Sequence, residues 1–362
     1  MSAHSLQLIV DGRPLVGNRT GIGVHTAEIA GRLQYANPPL LASHAPIDDR
    51  TGLEMCRFRV DERPLGVLWQ QLDLPSVARQ EKADVLWGPH GTLPWTIDTP
   101  SVVTVHDLSS LTMSGAHRIK TVLSFNLFIS RSLQRASRIA AVSRQTADEL
   151  MGTFSISAEK IEVIPNGVAD YFVPSKEDEA LPEGLTSGSY ILNVGTMEPR
   201  KGIDILLAAW ESLDAPRPPL VLTGDRGWGN QRLRRQLDKS AGTGQIILTG
   251  YVDRQTLRAL YRNCLFFVYP SRFEGFGLPP LEAMACGAAV IATRTGAVEE
   301  FAGDAALIID SDSASLAIGM RKLTTDPGLR SELAVRAQHR AGLYRWDRSA
   351  QRMKELFDAA AQ

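Results

Sequence analysis

Short apolar runs, without regular polar alternation, constrain this chain more than any other feature. LQLIV, ADVLWGP, SVVTVHDL, ASRIAAVS and KIEVIPNGV punctuate the first half. Side chains alternate faces along a strand, so such runs suit strands buried on both faces, as in parallel sheets. Helical patterns separate them, beginning with GIGVHTAEIAGRL. The pattern stops at YFVPSKEDEALPEGLTSGSY, which is rich in Pro, Gly, Ser and acid and reads as a linker. It restarts with YILNVGT, PLVLTG, QIILTG, CLFFVYPS, AAVIAT and AALIID, interleaved with GIDILLAAWESL, QTLRALYRN and LEAMACG. The expected fold class is α/β, with two Rossmann-like doubly wound domains and a cleft between them. The domains read as 1–173 and 190–344, with a linker over 174–189 and a final amphipathic helix over 345–362. A length of 362 residues fits two cores better than one.

Bulk properties narrow the function. A formal net charge of -1 gives no sign of a nucleic-acid binder. Three cysteines far apart in sequence, Cys56, Cys264 and Cys286, argue against a disulfide framework or a zinc site. No apolar run approaches a membrane span. The N-terminal stretch reads as a first buried strand rather than a secretory leader, and a cytoplasmic location is expected.

Ligands of doubly wound sheets bind beyond the carboxyl ends of strands, so those loops carry the functional reading. After CLFFVYPS comes SRFEGFGLPPLEAMACG, with Glu274 in a glycine loop and Glu282 expected in the first turn of a helix. Pro279 and Pro280 suit a helix start. A first-turn glutamate is ordinary dipole chemistry. Glu274 has no such explanation, but a carboxylate accepts well from sugar hydroxyls. Backbone N–H groups at the helix start would favour an anion. After YILNVGT, the loop TMEPRKG supplies Arg200 and Lys201, two cations able to neutralise a diphosphate without metal. GDRGWG and GYV are further strand-end loops with less specific signals.

Together, NVGTMEPRKGIDILLAAW, LTGYV and YPSRFEGFGLPPLEAMACGAAVIAT resemble glycosyltransferase family 4, enzymes of the GT-B fold. Two glutamates eight positions apart are that family's signature. The resemblance implies a retaining, metal-independent enzyme that uses a nucleotide-sugar donor and no other cofactor. It implies that Glu274 binds the transferred sugar, Glu282 the ribose, and Arg200 and Lys201 the diphosphate. Gly275, Phe276, Gly277 and Leu278 would offer backbone N–H groups, with Gly195, Thr196, Tyr251 and Val252 completing the donor site. In the first half, Gly21 and Gly23 would lie in a loop over the diphosphate. The match at VHDL gives His106 contact with the sugar or acceptor, oriented by Asp107. Ser143 and Asn166-Gly167 read as turns. The final helix would cross back onto the first domain, packing Tyr344 and Trp346.

WGPHGTLP, GDRGWG and the glutamate motif look most like bacterial mannosyltransferases of polysaccharide or O-antigen assembly. GDP-mannose is therefore the expected donor, with a saccharide or lipid-linked saccharide as acceptor. UDP-glucose, UDP-N-acetylglucosamine and dTDP- or GDP-deoxyhexoses are alternatives. An epimerase or phosphorylase on this fold, or a non-catalytic binding protein, are competing classes. The stretch 117–138, HRIKTVLSFNLFISRSLQRASR, lies in an interval, 108–147, with five arginines, one lysine and no acid. It reads as a solvated basic helix face or as a patch for an anionic membrane surface.

Overall fold

The computed structural model describes residues 6–108, 128–174, 179–225, 237 and 245–362. The chain divides into two compact units, Met1–Gly167 with Arg345–Gln362, and Val168–Tyr344.

Among the described residues, the first unit holds a seven-stranded parallel sheet in the order β3-β2-β1-β4-β5-β6-β7. Its strands are β1 Leu8–Asp11, β2 Leu40–Ser43, β3 Arg57–Val60, β4 Val85–Gly88, β5 Ser101–Val105, β6 Arg138–Ala141 and β7 Ile161–Val163. Two of these, β2 and β3, were not expected from the sequence. β3 reads RFRV and lies at the sheet edge, so its faces are only partly covered and it lacks an apolar run. The helices are α1 Gly21–Ala30, α2 Gly66–Leu72, α3 Leu74–Gln80 and α4 Arg144–Phe154, with a further helical stretch over 128–135. Ile9, Leu86, Val103 and Ile139 from the sheet join Trp69, Leu74, Val77 and Leu133 in one core.

The last helix of the chain, Trp346–Ala360, belongs to this unit. It buries Trp346, Ala350, Met353, Phe357 and Ala360, spaced to fall on one face. Phe357 meets Trp87 with ring centroids 5.4 Å apart, and Trp346 meets His25 at 5.8 Å. Burying a side chain such as Phe357 or Met353 contributes about 1.5–3 kcal/mol.

The second unit repeats the plan with six parallel strands in the order β10-β9-β8-β11-β12-β13. These are β8 Ile191–Val194, β9 Leu220–Thr223, β10 Ile246–Gly250, β11 Phe266–Tyr269, β12 Val290–Thr293 and β13 Leu307–Ile309. The helices are α5 Ile203–Glu211, α6 Arg254–Asn263, α7 Leu278–Ala285, α8 Gly296–Ala302, α9 Ser313–Thr325 and α10 Pro327–Ala341; the chain-terminal helix is then α11. The described part of the expected linker belongs to this unit. Its Glu179 accepts from Arg258 Nε at 2.6 Å and Arg262 Nη1 at 2.8 Å, fastening the segment to α6.

Candidate active site

Each sheet reverses its strand order once: between β1 and β4 in the first, between β8 and β11 in the second. A crevice opens at such a reversal, beyond the carboxyl ends of the strands. Polar side chains gather at both.

In the second unit, β8 runs through Gly195 and Thr196 into a 3-10 turn, Pro199–Lys201. Gly202 ends that turn at φ +65°, where a Cβ would lie 2.0 Å from the Pro270 carbonyl oxygen. Conformation and space both require glycine, and the turn is thereby pressed against the segment after β11. There, the Arg272 N–H donates to the Arg200 carbonyl at 2.8 Å. Arg200 Nη1 donates to the Phe273 carbonyl at 3.1 Å. Glu274 Oε1 accepts from Lys201 Nζ at 2.6 Å and Ser271 Oγ at 2.7 Å, and Arg200 Nη1 stands 3.0 Å away. Lys201 Nζ also donates to the Tyr269 hydroxyl at 3.0 Å. The residues expected to hold sugar and diphosphate separately thus form one cluster across the reversal point. Burial would raise the Glu274 pKa, but Lys201 and Arg200 overcome it, and bonds from Lys201 and Ser271 help hold the carboxyl at about 2. The carboxylate is therefore ionised at any physiological pH.

Glu282 is shifted in the opposite direction. The helix α7 begins at Leu278, so Glu282 lies in its second turn, not its first as expected. The helix dipole acts mainly within the first turn and does not account for it. The Glu282 side chain is largely buried, and Tyr261 donates its hydroxyl to Oε2 at 3.0 Å. Burial raises its pKa to about 7, against smaller lowering effects of the Tyr261 bond and of Arg254. Two carboxyls eight residues apart therefore shift in opposite directions, because cations outweigh burial at Glu274 and burial outweighs a single phenol bond at Glu282.

The start of α7 also differs from expectation. Pro279 and Pro280 occupy its second and third positions. Neither has an N–H, so an anion at this terminus would depend on Gly275, Phe276, Gly277 and Leu278. Gly277 sits at φ +96° immediately before the helix. The Phe276 ring is core rather than site, packing 5.2 Å from Phe301. Gly195 borders the Lys201 stem, since a Cβ there would come within 3.9 Å of it. Tyr251 and Val252 follow β10 at the sheet edge, two strands from the reversal, with Tyr251 exposed. Only Gly224 and Asp225 of GDRGWG fall within the described residues.

In the first unit, Gly21 and Gly23 lie in the first turn of α1 rather than in the loop before it. A Cβ at Gly23 would meet the Pro14 carbonyl oxygen at 2.5 Å, so close helix packing already requires this glycine. His106 follows β5. Its Nε2 lies 2.8 Å from the Pro89 carbonyl, which can only accept, so this nitrogen carries the proton and Nδ1 keeps its lone pair. Burial lowers its pKa, against the opposing Pro89 carbonyl and Asp107. His106 thus offers a hydroxyl an acceptor. His25 stands edge-on to it, with centroids 4.7 Å apart, and its Nδ1 meets Asn166 Oδ1 at 2.7 Å. Burial, with His106 adding, holds the His25 pKa at about 3.

Sequence reasoning missed a second polar cluster, at the β1/β4 reversal. Asp11 ends β1 and is buried. Arg13 grips its carboxylate through Nε at 2.9 Å and Nη2 at 2.7 Å. Gln70 of α2 donates to Asp11 Oδ2 at 3.2 Å and to Thr92 Oγ1 at 3.0 Å. His90, two residues beyond β4, places Nε2 against Arg13 Nη2 and 3.0 Å from Thr92 Oγ1. The available signal was DGR directly after an apolar strand, and a histidine in WGPHG directly after another.

Of the basic stretch 117–138, residues 117–127 lie outside the described residues. Within the described part, Arg131 sits 5.5 Å from the Trp95 ring and Arg138 donates to the Glu159 carbonyl at 2.9 Å. No helix among the described residues is long and apolar enough to cross a membrane.

Comparison with known proteins gives the family and the fold. The family model "Glycosyl transferases group 1" matches residues 175–340, and "Glycosyltransferase Family 4" matches residues 19–170. "O-antigen chain mannosyltransferase B" of Escherichia coli is 32% identical over 74% of this chain and 72% of its own length. "Serotype-specific mannosyltransferase WbdA" of Escherichia coli is 30% identical over 76% of this chain, which spans only 35% of that longer protein. A crystal structure of Anabaena Alr3699/HepE in complex with UDP and glucose superposes with a TM-score of 0.77 at 21% identity, covering 98% of this chain and 100% of that one. The chain belongs to the family 4 glycosyltransferases, and its two doubly wound units are those of the GT-B fold.

Proposed function

We propose that the chain transfers mannose from GDP-mannose, with retention and without a metal ion, to a saccharide or lipid-linked saccharide acceptor in cell-surface polysaccharide assembly. The observation that carries this reading is the Lys201–Arg200–Glu274 cluster at the β8/β11 reversal. When the anomeric C–O bond breaks, the electron pair goes to a phosphate oxygen of the departing nucleoside diphosphate. Lys201 and Arg200 neutralise that charge, and prealigned cations in a shielded site are the strongest form of such stabilisation. Glu274 holds both cations in place and accepts hydroxyls of the transferred sugar. Glu282 takes the ribose hydroxyls. The acceptor hydroxyl attacks the face that the leaving group vacates and passes its proton to the departing phosphate oxygen. His106, held neutral, orients a hydroxyl through Nδ1 and need not act as a base. The mannosyltransferase relatives support the choice of sugar.

A thermal-shift screen against GDP, UDP, dTDP, ADP and CDP without added metal tests the donor. A nucleotide at a hundred times its Kd adds about 2.7 kcal/mol. Stabilisation by GDP alone supports GDP-mannose; stabilisation by UDP or dTDP moves the donor to that nucleotide. Product analysis separates transfer from epimerisation, which needs no acceptor. A cytoplasmic protein with its basic stretch on an anionic membrane completes the proposal. Salt-sensitive binding to anionic vesicles is expected, and binding indifferent to salt would remove the membrane from it.

A further inference from the structure

Glu274 is held by a lysine, an arginine and a serine. Glu282 has one hydrogen-bond partner among the described residues, the hydroxyl of Tyr261. A glutamate turns about three side-chain bonds, and fixing it costs rotamer freedom. A carboxylate that must meet a ligand from one direction therefore needs a partner that is itself fixed.

Tyr261 is such a partner. It lies on α6 and is fully buried. Its ring stands edge-on between two others, Phe267 of β11 at 5.5 Å and Phe172 at 5.9 Å between centroids. The helix is fixed in turn. The Tyr190 hydroxyl donates to the Leu260 carbonyl at 2.8 Å, and Arg258 and Arg262 share Glu179. Burial and the neighbouring Glu282 carboxyl push the Tyr261 pKa well up, so the phenol keeps its proton and donates.

The bond goes to Oε2 at 3.0 Å and leaves Oε1 without a partner among the described residues. Tyr261 is sealed from solvent, whereas Glu282 keeps contact with it. The phenol thus grips the carboxyl from the sealed side and leaves the other side to a ligand. Ribose hydroxyls need an accepting carboxylate. Burial disfavours that form, and the phenol bond opposes burial.

We propose that Tyr261 is a positioning residue for the donor: its hydroxyl, locked between Phe172 and Phe267, holds Oε2 so that Oε1 of Glu282 is aimed at the ribose. This rests on the assignment of the ribose to Glu282 above. The phenol itself touches no substrate.

The test is titration calorimetry on wild type and Tyr261→Phe with GDP, UDP and the 2′,3′-dideoxy form of each. Phenylalanine keeps the packed ring and removes only the hydroxyl. Wild type should prefer a ribose-bearing nucleotide to its dideoxy form. Tyr261→Phe should bind the ribose-bearing nucleotide about tenfold more weakly, while the dideoxy form binds both proteins alike. A general structural loss would weaken both forms by the same factor. That result, or full wild-type affinity in the variant, would overturn the role of Tyr261 alone. Equal binding of the two forms by wild type would refute the ribose assignment of Glu282, and this role with it. Wild type that binds none of these nucleotides would refute the donor reading itself. Phe172→Leu loosens the seat of the phenol but keeps its hydroxyl, and it decides the matter if Tyr261→Phe fails to fold. A smaller loss confined to the ribose-bearing nucleotide is expected there, and an unchanged preference would overturn the proposal.

Discussion

Replacing Glu282 by glutamine tests whether its carboxyl is held protonated by its surroundings. The folded pKa is about 7 against an ordinary value of 4.5. Every tenfold change in proton affinity is worth about 1.36 kcal/mol, so the ionised form is disfavoured in the folded state by about 3 kcal/mol at most. Residual solvent contact of this side chain makes that an upper value. The sign follows from linkage. A group whose folded pKa is raised stabilises fully below its unfolded pKa, and that contribution fades as pH rises through the folded value. Wild type should therefore lose stability relative to Glu282→Gln between pH 5 and pH 8. The glutamine carbonyl still accepts from Tyr261, so the two proteins should nearly match at pH 5. Glu274, with its pKa at about 2, is ionised throughout this range and contributes no slope. Urea unfolding at four pH values reads the difference directly. A gap between the two proteins that stays constant from pH 5 to pH 8 would refute the reasoning. A second readout concerns the donor. Ribose hydroxyls favour the carboxylate, so GDP binding at pH 7 should release protons in wild type, detected by titration calorimetry in buffers of different ionisation enthalpy.

Other outcomes follow from contacts already described. Lys201→Ala should reduce turnover by about 10²–10³ with only a small change in melting temperature; wild-type turnover would remove Lys201 from the mechanism. Gly202→Ala puts a Cβ into the Pro270 carbonyl at positive φ and should destabilise by about 1–3 kcal/mol, measured by chemical denaturation. Glu179→Ala leaves Arg258 and Arg262 without their shared carboxylate. It should lower the stability of the second unit by about 3 kcal/mol, seen as a lower first transition in calorimetry.

The sequence reveals strands whose apolar runs lack regular polar alternation because such runs fit little else. It does not reveal β3, where arginines flank one phenylalanine and burial is partial. The cluster of Arg200, Lys201 and Glu274 was partly legible because Arg200 and Lys201 are neighbours and the glutamates share one motif. The fact that Lys201 grips Glu274, 73 positions away, depends on strand order, which no local pattern encodes. The same reason hid the cluster at the β1/β4 reversal. Asp11, Gln70 and His90 look like three unrelated polar residues until β1 and β4 pair. Likewise, Glu282 reads as a dipole residue until the position of the helix start and the Tyr261 hydroxyl are known.

The return of α11 to the first unit has a consequence for how the chain is made. The second unit is one uninterrupted stretch, and its ends meet where the Val168 N–H donates to the Tyr344 carbonyl at 2.9 Å. The first unit is split, and its core lacks Trp346, Met353 and Phe357 until α11 has left the ribosome. Domains usually complete in the order of synthesis. Here the order is inverted: the second unit can close while the first still waits, its Trp87 and His25 uncovered, for α11.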